Sequence, residues 1–250
     1  MLFDLDGVLT PTAEVHMRAW QRMFDEFFAA QAVTPPYTEA DYFAYVDGKP
    51  RYDGVRAMLA SRGIVLPEGG PTDPGDALTV CGLGNRKNVM VNRLLDDEGI
   101  VAYPGSVELV DRLEALGVPM AVVSSSRNAP MVLEAAGLAG RFPVVVDGVV
   151  AAREHLPGKP APDTFSHAAR LLGVEDAHAA VVEDAISGVT AGRAGGFGLV
   201  VGVDRGVGAQ TLIDAGADVV VSDLRELVEQ WPAPSTTSWT DSASPSTPGG

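Results

Sequence analysis

Acidic side chains directly follow the first short apolar run of this sequence. Asp4 and Asp6 come after Leu2 and Phe3 and are followed by Gly7, which permits a sharp turn. Side chains two positions apart on a strand lie on the same face, so we expect the two carboxylates to lie together. Such a close pair repels unless a divalent cation lies between the groups or one of them is protonated. The pair is a candidate metal or acid–base site, and two solvated turn acids are the alternative.

Two further segments have the chemistry of a phosphate site. Residues 122–128 form an apolar strand end followed by three serines, an arginine and an asparagine. Hydroxyl and backbone N–H groups at a helix N-terminus can bind a phosphate, although ordinary helix capping also explains these residues. Lys159 precedes Pro160, which favours an extended backbone before it, so the lysine can be held toward a phosphoryl group or a carboxylate. A solvated surface lysine is the alternative there.

A second acidic pair, Glu183 and Asp184, follows the apolar run 179–182 and precedes a predicted helix. Carboxylate oxygens suit Mg²⁺, so this pair can complete a metal site with the first one. A favourable interaction of acids with a helix N-terminus would also account for their position. All four segments lie where predicted strands end, which is the edge of a parallel sheet at which ligands bind.

Short apolar runs alternate with helical stretches from about residue 102 to 229. The strands are predicted at 1–5, 118–123, 142–146, 179–182, 199–203 and 218–221. The helices among them are predicted at 131–136, 162–172, 185–194 and 209–215, with a last one from residue 223. Strands that are apolar on both faces and separated by helices indicate a parallel sheet covered on both sides. We therefore predict an α/β fold with a Rossmann-like parallel sheet core.

The residues between the first strand and the rest of the sheet have a different pattern. Apolar residues recur at helical spacing over 14–30, 39–46, 51–61 and 85–97, with segments rich in proline and glycine between them. This pattern predicts a small helical cap domain, inserted after the first strand and placed over the strand ends. The predicted division is a catalytic core of residues 1–11 and 95–230, and a helical insert of residues 12–94.

Composition excludes several classes of function. The 250 residues include 18 basic and 33 acidic side chains, a net charge of −15, which disfavours binding to nucleic acid or to an anionic membrane surface. Cys81 is the only cysteine, so neither an intrachain disulfide nor a cysteine-based zinc site is possible. The first residues lack the pattern of a secretory signal, and we expect a cytoplasmic protein. Residues 231–250 contain 15 Pro, Ser, Thr or Gly residues, which predicts a disordered tail.

The order of the four motifs resembles that of the haloacid dehalogenase-like phosphotransferases. Residues 3–10 match the first motif of that superfamily nearly letter for letter, and the serine, the lysine and the Glu-Asp pair follow in the expected order. The resemblance extends over about residues 1–228. It implies phosphoryl transfer through an aspartyl phosphate.

The resemblance also implies a role for each motif residue. Asp4 would be the nucleophile and Asp6 the general acid and base, with its backbone carbonyl touching the metal. Asp4 and Asp184 would hold Mg²⁺, with Glu183 beside it or acting through water. The residues that would hold the transferring phosphoryl oxygens are Ser124 and Lys159.

Residues 12–20 resemble the β-phosphoglucomutase family more specifically. Thr12, His16 and Trp20 lie one helical turn apart and share a face; the resemblance implies that His16 couples cap closure to the positioning of Asp6. Residues 46–51 resemble the cap segment whose arginine binds the distal phosphate, and residues 84–88 the segment whose lysine lies near the sugar. The implied substrate-binding residues are Thr12, Trp20, Gly48, Arg51, Lys87, Ser126, Arg127 and Asn128.

A second phosphate-binding group is what a bisphosphate intermediate requires. The resemblance therefore implies a Mg²⁺-dependent mutase that interconverts β-D-glucose 1-phosphate and glucose 6-phosphate through β-glucose 1,6-bisphosphate, acting as a monomer on a small sugar phosphate. A sugar-phosphate phosphatase is the first alternative and a catalytically silent binding protein the second. The sequence departs from the family pattern at Pro11, Gly54 and Arg127.

Overall fold

Six strands form one parallel sheet in the computed structural model, which describes residues 1–230. The strands are β1 (Leu2–Phe3), β2 (Ala121–Val123), β3 (Val144–Val146), β4 (Ala180–Glu183), β5 (Leu199–Val203) and β6 (Val219–Val221). Their order is β3-β2-β1-β4-β5-β6, with Leu2 aligned with Ala121 on one side and with Val181 on the other. The predicted α/β class with a parallel sheet is confirmed. The tail predicted at 231–250 lies outside the described residues.

Strand β1 is shorter than the five residues predicted for it. The N–H of Asp4 still donates to Val182 O at 2.9 Å, and the chain then turns, so that Leu5 O accepts from the N–H groups of Leu9 and Thr10. This turn ends the pairing of the strand with its neighbours and directs the acidic residues at its end over the sheet edge.

Eleven α-helices surround the sheet within residues 1–230. They are α1 (Thr12–Ala30), α2 (Glu39–Asp41), α3 (Arg51–Ser61), α4 (Val80–Glu98), α5 (Pro104–Ala115), α6 (Ala129–Ala135), α7 (Gly148–Arg153), α8 (Asp163–Leu171), α9 (Ile186–Ala194), α10 (Ala209–Ala215) and α11 (Arg225–Gln230). A π-helical turn, Tyr42–Val46, continues α2, and a 3₁₀ turn, Asp176–His178, precedes β4. No helix among these residues is both long enough and apolar enough to cross a membrane.

Helix α4 begins five residues before the predicted position 85. The hydroxyl of Thr79 accepts a hydrogen bond from the N–H of Gly82 at 2.9 Å, which caps the helix at its true start. Helices α5 and α7 were not predicted. Helix α5 has Pro104 in its first turn, a position that proline favours.

The sheet is buried on both faces because alternate strand residues point to opposite sides. Phe3 belongs to the hydrophobic cluster that packs α5, α6 and α11 on one face. Leu2, its neighbour, belongs to the cluster that packs α8, α9 and α10 on the other face. Both residues of β1 are fully buried, so this two-residue strand contributes to both layers of the core.

The helices of residues 12–94 bury an apolar cluster of their own. It is rich in aromatic rings, and Phe24 stacks with Trp20 at a centroid distance of 5.5 Å and with Tyr37 at 5.2 Å. Val15 and Ala19 of α1 and Val91 of α4 instead join the cluster on the sheet. The insert is thus held both by its own core and by its contacts with the sheet.

Candidate active site

The ends of β1 and β4 bring three carboxylates together. Asp4, Glu183 and Asp184 are all buried, and each offers an oxygen within 4.8 Å of the others. Three buried oxygen donors fit a hard divalent cation, which would offset their mutual repulsion. Burial raises the pKa of Asp4 well above its ordinary value, and the nearby charges of Glu183 and Asp6 raise it further while Lys159 lowers it. The donor set therefore has the chemistry and charge of a divalent metal site.

Lys159 lies between two of these acids. Its Nζ donates to Asp4 Oδ1 and Glu183 Oε1, and also to Val123 O at 3.1 Å. Burial disfavours the ammonium, but the charges of Asp4 and Glu183 outweigh it and raise the pKa of Lys159 above its ordinary value. Glu183 Oε2 accepts from the N–H groups of Asp184 and Ala185 at 3.0 and 3.1 Å. The carboxylate of Glu183 thus also positions Lys159 and the turn after β4.

Gly7 allows the first strand end to approach the second. Its φ is +86°, and a Cβ at this position would lie 1.8 Å from Asp184 Oδ2. Any side chain here would displace the carboxylate of Asp184 in addition to straining the backbone. The glycine of the Asp-x-Asp-Gly run therefore has a packing reason as well as a conformational one.

Asp6 points away from the three-acid group. Its Oδ1 accepts a hydrogen bond from Thr12 Oγ1 at 2.5 Å, and its Oδ2 accepts one from Ser124 Oγ at 3.3 Å. His16 Nε2 lies 3.7 Å from Asp6 Oδ1. Hydroxyl groups therefore hold the side chain of Asp6 near His16. Its predicted part in proton transfer and the contact expected of its backbone carbonyl with a metal both stay predictions.

His16, Lys87 and Trp20 form a compact group on the insert. Lys87 Nζ lies 2.8 Å from His16 Nδ1 and 4.8 Å from the centre of the Trp20 ring. Burial and the charge of Lys87 lower the pKa of His16 to about 4, while burial and the charge of Arg51 lower the pKa of Lys87 to about 7. An ammonium at Lys87 donates to Nδ1, which leaves the imidazole proton on Nε2, facing Asp6. Nε2 is buried and has no hydrogen-bond partner.

Arg51 joins the insert to the loop after β2. Its Nη2 donates to Asn88 Oδ1 at 2.6 Å, and that same oxygen accepts from Asn128 Nδ2 at 3.0 Å. The guanidinium of Arg127 lies 5.9 Å from the centre of the Tyr52 ring. Two guanidinium groups therefore lie where the insert meets the core loop, and together they can bind an anion.

These groups enclose one cavity of about 320 Å³, within the usual range for a small-molecule site. Twelve of the predicted site residues line it: Asp4, Asp6, His16, Trp20, Gly48, Arg51, Lys87, Ser124, Ser126, Arg127, Glu183 and Asp184. Thr12, Lys159 and Asn128 lie behind the cavity wall, each hydrogen-bonded to a lining residue. Sequence reasoning missed Tyr42, Asp47 and Ser125, which also line the cavity.

The sequence pattern of one protein family, described as haloacid dehalogenase-like hydrolase, matches residues 1–196. This stretch contains all four motifs and most of the sheet. The chain belongs to the haloacid dehalogenase-like hydrolase family.

Relatives of this haloacid dehalogenase-like protein carry a more specific name. It is 53% identical over 236 residues to a β-phosphoglucomutase of Mycobacterium bovis, a match that covers 91% of the chain and 90% of the relative. It is 30% identical over 238 residues to the β-phosphoglucomutase of Bacillus subtilis, covering 92% and 96%. The crystal structure of a β-phosphoglucomutase from Clostridium difficile has the same fold, with a TM-score of 0.71 at 23% identity over 92% of this chain and 94% of that one. The predicted resemblance to this family is confirmed.

Proposed function

We infer that this protein is a β-phosphoglucomutase, an intramolecular phosphotransferase that interconverts β-D-glucose 1-phosphate and glucose 6-phosphate. The observation that carries the inference is the 53% identity to a named β-phosphoglucomutase over nine tenths of both chains. The cavity is consistent with it, since hydroxyl and cationic side chains line it both at the strand ends and on the insert.

We assign the phosphoryl-transfer and proton-transfer steps to the acids at the strand ends. Asp4 attacks the phosphorus of β-glucose 1,6-bisphosphate in line, which forms an aspartyl phosphate and releases a sugar oxygen. Asp6 donates the proton to that oxygen and removes one from the hydroxyl that attacks next. His16 keeps the proton on Nε2 toward Asp6, and Thr12 fixes the carboxylate of Asp6 in this orientation.

We assign binding of the substrate mainly to the cationic side chains. Ser124 and Lys159 hold the transferring phosphoryl oxygens, while Arg51 binds the distal phosphate with Ser126, Arg127 and Asn128 around it. Lys87, Trp20 and the backbone at Gly48 hold the sugar.

The divalent cation of the family is assigned to Asp4 and Asp184, with Glu183 beside it and the carbonyl of Asp6 completing the site. The all-oxygen donor set favours Mg²⁺. When bound, the cation neutralises charge on the transferring phosphoryl group.

The domain division, the oligomeric state and the location complete the proposal. The division into a core of residues 1–11 and 95–230 and a cap of residues 12–94 is supported by the separate aromatic cluster of the insert. The monomer predicted from the sequence stays a prediction. Cys81 is a free buried thiol, which suits a reducing cytoplasm.

A coupled assay tests the proposed function. The enzyme is incubated with Mg²⁺, β-glucose 1-phosphate and a trace of β-glucose 1,6-bisphosphate, and glucose 6-phosphate and free phosphate are both measured. Glucose 6-phosphate is expected to form in large excess over free phosphate. Free phosphate without glucose 6-phosphate would refute the mutase and establish the phosphatase.

A binding experiment tests the alternative that the protein is catalytically silent. A phosphate-mimicking metal fluoride with Mg²⁺ is expected to be trapped at Asp4, which fluorine nuclear magnetic resonance would detect. Its absence at millimolar fluoride would favour a protein without phosphoryl-transfer chemistry.

Replacement of Arg51 is expected to impair use of the bisphosphate more than the chemical step. Removing one charge-assisted contact to a phosphate costs about 2–3 kcal/mol, so the KM for β-glucose 1,6-bisphosphate should rise roughly 30- to 150-fold in Arg51→Ala. Steady-state kinetics with varied bisphosphate would measure it. Arg22→Ala is the control, because Arg22 lies on helix α1 of the insert, is exposed and pairs with Glu26 outside the cavity. Equal effects of the two variants would contradict the assigned role.

Lys87 is expected to impose an alkaline limb on the pH profile. Its pKa of about 7 is lowered from the ordinary value, so the ammonium loses its proton as the pH rises through 7, and a neutral amine binds a sugar phosphate more weakly. In the wild type, kcat/KM for β-glucose 1-phosphate should therefore fall above this pH. Lys87→Met should have a lower kcat/KM and no such limb. A limb that persists in Lys87→Met would assign it to another group.

A further inference from the structure

The insert contributes an acidic side chain to the cavity that the assignments above leave without a role. Asp47 and Asp53 are the acids by which residues 12–94 line the cavity. Asp53 pairs with Arg56. Asp47 forms no ion pair with any residue that the structure describes, although the charge of Lys49, two residues along, acts on it. Its carboxylate accepts a hydrogen bond from the hydroxyl of Tyr42, a buried residue.

The backbone at Asp47 is seated directly on the strand end that carries the metal-binding acids. Ser187 Oγ donates to Asp47 O at 3.0 Å, and Ser125 Oγ donates to Gly48 O at 2.8 Å. The backbone at Gly48 packs closely against the turn after β4, because a Cβ at Gly48 would lie 2.2 Å from Ser187 Oγ and 2.8 Å from the Cβ of Ala185. The position of the Asp47 side chain is therefore set by how fully the insert closes onto the turn after β4.

In this closed arrangement the Asp47 carboxylate faces the acids at the end of β4. Asp47 and Asp184 line this cavity together, and both also line a smaller neighbouring cavity. The closed cavity thus combines Asp47 with three buried carboxylates, while Lys159 is the cation bonded among them. Like charges that share a buried cavity oppose each other more strongly than they would in bulk water.

We propose that Asp47 is a positioning residue that couples closure of the insert to the divalent cation. Without the cation, ionisation of Asp47 opposes the seating of residues 47–48 on Ser187 and Ser125. With the cation at Asp4 and Asp184, the same charge is attracted to the strand ends and stabilises the closed cavity. This inference rests on the proposed function only through the divalent cation assigned to the family.

A substrate-free titration tests the coupling. The dissociation constant for Mg²⁺ is measured by calorimetry on the metal-free wild type, on Asp47→Asn and on Asp53→Asn. Asparagine keeps the shape of the side chain and the acceptor for Tyr42. Loss of a group that acts on a metal through its ligands typically weakens metal binding by 10- to 100-fold, so we expect roughly ten-fold weaker binding for Asp47→Asn. Asp53→Asn is the matched control and should bind within about two-fold of the wild type, since an exposed ion pair contributes little.

Hydrogen exchange gives a second readout that a purely structural role would not move. In the wild type, Mg²⁺ should increase protection of the amides at residues 46–49. In Asp47→Asn these amides should already be protected without Mg²⁺, and the cation should add little. Ser187→Ala keeps every carboxylate but removes one hydrogen bond of the seat, so it should weaken Mg²⁺ binding by roughly five-fold.

Unchanged dissociation constants in both Asp47→Asn and Ser187→Ala would overturn the inference. The failure of the proposed function is separate from this outcome, because the titration contains no sugar. A wild type that releases phosphate without forming glucose 6-phosphate would refute the mutase and leave the coupling intact.

Discussion

Asp4→Asn is expected to lose at least about 10⁴-fold in kcat for the conversion of β-glucose 1-phosphate, because the substitution removes the only nucleophile assigned to the site. The amide keeps the shape of the carboxylate and can still accept from Lys159, so substrate binding should change much less than turnover. Coupled kinetics would measure the loss, and trapping of the metal fluoride should disappear with it.

The stability of this variant separates a catalytic role from a structural one. Asp4 is one of three buried carboxylates, and Lys159 remains paired with Glu183 after the substitution. The metal-free melting temperature should therefore stay the same or rise. Asp214→Asn, at an exposed acid bonded to Gln210 on α10, controls for the loss of a surface charge. Turnover above about 1% of the wild-type value would rule out Asp4 as the nucleophile.

Lys159→Met is expected to damage both activity and folding. The substitution leaves the buried carboxylates of Asp4 and Glu183 without the ammonium between them. Removing one partner of a buried ion pair lowers the free energy of unfolding by about 3–5 kcal/mol. Turnover should fall at least about 10³-fold, because a donor to the transferring phosphoryl group is lost. Denaturant unfolding and the coupled assay would measure the two effects.

The electrostatic origin of this instability can be checked in two ways. The double variant Lys159→Met/Glu183→Gln removes one of the two uncompensated charges and should recover part of the lost stability without recovering activity. Acids held without a cation have raised pKa values in the folded state, so the unfolded state binds fewer protons and stability falls as the pH rises. The deficit of Lys159→Met should thus be smaller near pH 5 than near pH 8. Lys159 Nζ also lies 4.9 Å from the centre of the Phe165 ring, so a deficit independent of both pH and Glu183 would indicate that this packing is lost instead.

The sequence predicted the layers of this fold better than the ends of its elements. The bounds predicted for 51–61, 199–203 and 209–215 coincide with α3, β5 and α10, because apolar periodicity and flanking glycine or proline mark them clearly. Helix α7 has six residues and buries none of them, so no periodic pattern could reveal it. The π-helical turn at Tyr42–Val46 depends on packing within the insert and has no local signal that we recognise.

The candidate site shows the same limit. The residues at the strand ends were predictable because strand, acid and glycine occur together in the sequence. The contact between His16 and Lys87 joins residues 71 positions apart, and the seat of Asp47 on Ser187 joins residues 140 positions apart. Such contacts follow from how the insert closes on the sheet, which a single sequence does not encode locally.

The central position of β1 has a consequence for how the protein is made. Leu2 pairs with Ala121 and Val181, so the strand that carries Asp4 is synthesised long before either of its neighbours. At typical rates of synthesis, roughly 10–40 s separate Asp4 from Glu183 as they leave the ribosome. The aromatic cluster of the insert draws mainly on residues 20–83 and can form during that interval. The helical insert can thus be complete first, and the acids meet only when the last third of the chain arrives.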